Sequence, residues 1–121
     1  MIEKLNGFPE NVIAAACKGH VTRQDYETVL VPLVEEKLKA HDKVRLYYEI
    51  GPDFDEIDPG AVLEDIKVGM GNLSRWERIA VVTDVDWIRI AMKAFSFLIP
   101  AEMRFFPMTD AEKARDWISG S

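Results

Sequence analysis

Residues 78–84, RIAVVTD, constrain the fold more than any other stretch of the chain. Their apolar residues follow one another without the alternation of a strand that faces water on one side. Such a run suits a strand covered on both faces, at the centre of a parallel sheet. Parallel neighbours cannot be joined by a tight turn, so helices must carry the chain back across the sheet. The flanking sequence supplies them.

Upstream, MIEKL reads as an edge strand, GFPEN as a turn built on Pro9 and Asn11, and VIAAACKGHV as a strand with Gly19 near its end. Thr22 opens a helix, with Asp25 three residues on in an acidic variant of the capping box. Tyr26, Val29, Leu30, Leu33, Val34 and Leu38 recur there at helical spacing, and Pro32, off that stripe, predicts a kink or break. VRLYYEI is a buried strand. Asp58 followed by Pro59 starts a second helix. Val62, Leu63, Ile66, Met70 and Leu73 stripe it, and Gly69 and Gly71 loosen its end, each costing roughly 1 kcal/mol against alanine. Residues 87–99 form a third helix and MRFF a last strand. Thr109 with Glu112 makes a capping box that opens a terminal helix through Ala111, Ala114, Trp117 and Ile118. The order β-β-α-β-α-β-α-β-α predicts an α/β fold with right-handed crossovers.

The chain has 121 residues, a length suited to one domain, with 48% hydrophobic and 30% charged residues, an ordinary globular balance. Its formal net charge of −6 argues against nucleic acid as a partner, because phosphate neutralisation needs a basic face. No basic leader precedes an apolar run, and no apolar stretch reaches the ~18 residues of a membrane span. The expected location is therefore the cytoplasm, with peripheral membrane contact left open. Cys17 is the single cysteine, which rules out an internal disulfide and a cysteine zinc cluster.

The third helix, DVDWIRIAMKAFSFLIP with its flanks, carries the main functional signal. On a helical wheel Arg89, Lys93 and Ser96 fill a polar wedge of roughly 60°, and the rest of the arc is apolar, about twice what packing on one sheet requires. One flank, Phe97 with Ile90 or Ile99 with Met92, is expected to face a ligand, a membrane or a partner. Arg89 and Lys93 form its basic edge, as in an interfacial helix. The plainer expectation, which comes first, is that neighbouring helices cover the surplus, so the segment is core first and contact surface second.

Other constellations point to structure. Asp53, Asp55, Glu56 and Asp58 lack the glycine and the bidentate glutamate of a calcium loop, so a solvated acidic loop and a helix cap are expected. His20 and His41 sit alone at element boundaries. Cys17 lies in an alanine-rich strand, where a buried, inert thiol is the rule, and His20 points to the opposite face of a strand. Tyr47, Tyr48 and Trp76 read as core aromatics. No nucleophile–base pair, phosphate loop or metal set appears, so the expected protein is not an enzyme and needs neither cofactor nor metal.

The motifs AVLEDIKVGM, WERIAVVTDVDW and RFFPMTDAEKARDWI, in that order and spacing, resemble the SpoIIAA-like family across essentially the whole chain. The resemblance implies the β/α superhelix shared by STAS and CRAL-TRIO domains, with a mixed, mostly parallel sheet of about five strands and about four helices in one domain spanning 1–121. The better-known STAS relatives antagonise anti-sigma factors and are switched by phosphorylation of a serine at the start of the helix after the central strand. This chain has DFDEIDPGAV there, with no serine or threonine between Thr28 and Ser74, so the phosphoswitch does not carry over.

The expectation is thus a non-enzymatic binding module. Its apolar groove lies between the second and third helices and is lined by Leu63, Ile66, Met70, Trp87, Ile90, Met92, Phe95, Phe97 and Ile99. A hydrophobic or lipid-like small molecule or a membrane surface would occupy it, and a homodimer is open to the chain. The alternative is a phosphorylation-independent protein–protein regulator of STAS type.

Overall fold

The computed structural model describes residues 1–51, 56–57, 75–95 and 101–120. The apolar runs become the strands β1 (Ile2–Lys4), β2 (Val12–Cys17), β4 (Val44–Ile50), β6 (Trp76–Thr83) and β7 (Glu102–Phe106). They form one sheet in the order β1-β2-β4-β6-β7. β1 is antiparallel to β2, and every other pairing is parallel. β6 therefore lies inside the sheet, where its unbroken apolar run is covered on both faces: Ala80, Val81 and Val82 are completely buried.

Alternation along the strands divides the core in two. On the first face Ile13, Ala15 and Cys17 of β2 join Tyr48 and Ile50 of β4 and meet Leu30, Leu33 and Val34 of the first helical segment and Ile88. On the second face Val12, Ala14, Tyr47, Ala80 and Val82 meet Ala114 and Ile118, with Phe8, Phe106 and Trp117 half-buried against them. Tyr47, Tyr48 and Trp76 are core residues, as expected from their place in strands.

The expected strand across VIAAACKGHV is interrupted. Gly19 adopts a positive φ of 55°, which glycine tolerates without penalty, and turns the chain out of the sheet. β3 (His20–Val21) then pairs in parallel with β5 (Glu56–Ile57), apart from the main sheet. Thr22 begins the first helical segment with the expected reciprocal cap. The Asp25 amide donates to Thr22 Oγ1 at 3.1 Å, and the Thr22 amide donates to Asp25 Oδ2 at 2.8 Å. Pro32 leaves its mark in an unexpected form. A short α turn (Arg23–Asp25) widens into a π turn (Tyr26–Leu30) before α1 (Val31–Ala40) resumes. Proline has no N–H for the carbonyl four residues back and its ring crowds that carbonyl, so a wider turn ahead of it relieves both conflicts.

α2 (Asp86–Phe95) packs on the first face and α3 (Ala111–Ser119) on the second. The expected Thr109–Glu112 capping box does not form. Thr109 sits in a 3₁₀ turn (Met108–Asp110), the N-cap of α3 is Asp110, and no side chain caps it. The long-range bond from the Met108 amide to Asp84 Oδ1, 3.0 Å, fixes this corner instead.

Arginines in the sheet and just ahead of β6 close the helix C-termini. Arg75 donates to the Leu38, His41 and Asp42 carbonyls at the end of α1. A bulge beside Val44 brings Arg45 opposite Arg78, and both donate to carbonyls ending α3: Arg45 to Ile118 and Gly120, Arg78 to Trp117. A guanidinium there satisfies orphan carbonyls and complements the negative end of the helix dipole.

Candidate functional site

The site begins where β6 ends. Thr83 is buried, and its hydroxyl accepts the Val85 amide at 3.0 Å, turning the chain into α2. Asp84 ties the same turn to Met108, so the start of α2 is fixed against both the sheet and the entry to α3. Asp86 in the first helical turn suits the positive end of the dipole and receives Arg89 Nη2 at 2.9 Å.

From that anchored start the helix presents two unlike flanks. Ile88 is 5% exposed within the first-face core, and Met92 is half-buried against it. On the other side Trp87 is 55% and Ile90 65% exposed, with Arg89, Lys93 and Ala94 exposed around them. Trp87, Ile90 and Ala94 follow the three-and-four spacing of one helical stripe. The flank carrying Ile90 faces out, while Met92 faces the core. The side chain of Phe95 and the groove residues Leu63, Ile66, Met70, Phe97 and Ile99 lie outside the described residues, as do Asp53, Asp55 and Asp58.

The electrostatics around the outer flank are mixed. Asp86, Arg89 and Lys93, all exposed, bring one negative and two positive charges to the helix that carries this flank, and Arg89 is paired with Asp86. The flank therefore offers a large aromatic, a branched aliphatic and a border of both signs. That composition suits contact with another surface.

Elsewhere among the described residues several buried polar groups are engaged with one another, while the buried indole Nε1 of Trp76 has no hydrogen-bond partner. The buried Cys17 thiol donates to Tyr48 Oη at 2.9 Å. Tyr47, whose hydroxyl bonds Glu49 at 3.2 Å, has its pKa pushed up to about 12 by burial and by the Glu49 carboxylate, so it stays protonated and cannot act as a base near neutrality. Phe8 covers the Tyr47 ring at 4.8 Å and receives the Arg115 guanidinium at 4.4 Å. A recess of about 150 Å³ beside this loop, bordered by Lys4, Asn6, Phe8 and Lys37, is smaller than the ~300 Å³ at which ligand pockets begin. Arg78 and Arg104 both bring their guanidiniums over the Trp117 ring, at 5.4 and 4.9 Å, an arrangement that sequence spacing does not signal. It arises because three elements distant in the chain converge on one face.

No described helix is long and apolar enough to cross a membrane. A family model described as SpoIIAA-like matches residues 12–119. Among solved structures, an uncharacterised protein of Shewanella loihica PV-4 with a SpoIIAA-like fold is similar, with 24% identity and a TM-score of 0.75. That likeness covers 98% of this chain and 92% of the Shewanella chain, and it establishes a shared fold. No curated protein matches the sequence.

Proposed function

The chain belongs to the SpoIIAA-like family, and we propose that it works as a non-enzymatic protein–protein regulatory domain, with the outer flank of α2 as its docking face. The observation that carries this reading is the exposure of Trp87 and Ile90, 55% and 65%, on a helix whose start is fixed to the sheet. A tryptophan with an aliphatic neighbour, bordered by charges, is the composition of an interface hot spot and its polar rim. Rigid presentation lowers the ordering cost of binding. Regulation without phosphorylation fits the absence of a serine or threonine between Thr28 and Ser74.

A lipid-like ligand or a membrane is the second reading, favoured by the same exposed tryptophan beside Lys93 and Arg89. The local charge balance supports it less. Asp86 pairs with Arg89 and offsets one of the two basic residues, and two basic residues supply little attraction for an anionic surface.

The deciding experiment compares wild type with Trp87→Ser and Ile90→Ser in affinity purification from the source cells and in flotation with neutral and anionic liposomes. The proposal expects a stoichiometric protein partner that both substitutions release, and no liposome binding. Flotation abolished by the same substitutions would support the lipid reading instead.

A further inference from the structure

We infer that β7 is a self-pairing edge and that two copies of this chain join through it, antiparallel, about a two-fold axis at Met103. The two ends of the sheet are unequal. β1 closes one end with only three residues, one way in which proteins blunt an edge. β7 closes the other with five residues, Glu102–Phe106, and no proline within it. Among the described strands it pairs only with β6, so alternate backbone groups along its outer side face away from the sheet. Its side chains are not the lysines of a protected edge: Met103, Phe105 and Phe106 are half-buried.

The charges on this strand select both the occupant and the register. Glu102 and Arg104 are 52% and 54% exposed and lie on the same face, where they pair at 3.1 Å within the strand. In an antiparallel pair centred on Met103, Glu102 stands opposite Arg104 of the second copy, and Arg104 opposite Glu102 of the second copy. Directly opposed unlike charges stabilise such a ladder, and like charges oppose it. Moving the centre one residue in either direction sets Arg104 against Arg104 or Glu102 against Glu102. The chosen register also places Met103 on Met103 and Ala101 beside Phe105 across the axis, on the face where Ala101 already packs with the first core. The contact is isologous, so it closes at two copies and joins two five-stranded sheets into one.

Sedimentation velocity over a range of concentrations tests this on the full chain. The weight-average mass should rise from 13.8 kDa toward about twice that value. A mass that stays at the monomer value up to the solubility limit overturns the inference. Glu102→Arg and Arg104→Glu each set like charges opposite one another at both positions, so each variant alone should remain monomeric. An equimolar mixture of the two restores both unlike pairs and should form the heterodimer. A wild-type dimer with no recovery in the mixture would place the contact on another surface and overturn the assignment. Arg104 also stacks on Trp117, so a circular-dichroism melt must show both variants folded. Should either fail to fold, Met103→Cys leaves the charges intact. It should cross-link to its copy on mild oxidation, while failure to cross-link at dimer-forming concentrations would count against the register.

Discussion

Ile88 and Ile90 are the same residue two positions apart on α2, yet one is 5% exposed and the other 65%. The inner isoleucine belongs to the buried cluster on the first face of the sheet; the outer one sits among charged side chains. The difference teaches that hydrophobicity on this helix serves two ends. One flank fastens the helix to the sheet, and the other is a surface the fold does not consume. A helix needs only the first to be stable.

The sharpest way to break that contrast is to remove each side in turn. Ile88→Ala should lower the unfolding free energy by about 2–4 kcal/mol, the range for truncating a buried aliphatic side chain, as read by urea denaturation. Met92→Ala, half-buried on the same flank, should cost less, about 1–2 kcal/mol by the same measurement. A loss as large at Ile90 as at Ile88 would erase the distinction.

Acid probes the neighbouring helix on the same face. Burial alone would raise the Asp25 pKa, but the Thr22 amide and hydroxyl and the Met1 ammonium outweigh it and hold the carboxyl below its ordinary value. A depressed carboxylate contributes stability that is complete above its unfolded value, near about pH 4, and is lost as pH falls through the lower folded value. Thermal melts from pH 5 downward should therefore show a decline that Asp25→Asn flattens. The cap itself is worth about 1 kcal/mol.

The smallest expected effect is the most telling. Trp87→Ala and Ile90→Ala should each change stability by no more than about 0.5 kcal/mol, as for surface positions. The same substitutions should abolish partner capture. Stability unchanged with binding lost would sharpen the division between the two flanks to a single turn of helix.

Much of this architecture can be read from residue patterns, because burial on both faces of a sheet leaves a direct trace. VRLYYEI, RIAVVTD and MRFF become β4, β6 and β7 within a residue or two at each end. Local motifs fared according to what competes with them. Thr22 and Asp25 face no rival and form their box. Thr109 and Glu112 do not, since the Met108 amide is drawn to Asp84, 24 residues away, and the chain enters α3 through a tighter turn. The helical wheel of residues 87–99 shows the surplus of apolar surface. It does not show which flank turns outward, because that depends on where the sheet lies. The choice of Ile90 over Met92 is a tertiary fact. The expected groove beyond α2, with Leu63, Ile66, Met70, Phe97 and Ile99, lies outside the described residues.

The arginines beneath α3 carry a consequence in time. The last carbonyls of that helix find their donors on Arg45 and Arg78, separated from Ile118 and Trp117 by 73 and 39 positions in the chain. A nine-residue helix is too short to persist by itself in water. Its end is completed only after β4 and β6 have come together and brought the two guanidiniums side by side. The terminal helix should thus be a late arrival on the folding route. Conservative truncations within it, Ile118→Val for example, should speed unfolding and leave the refolding rate almost unchanged.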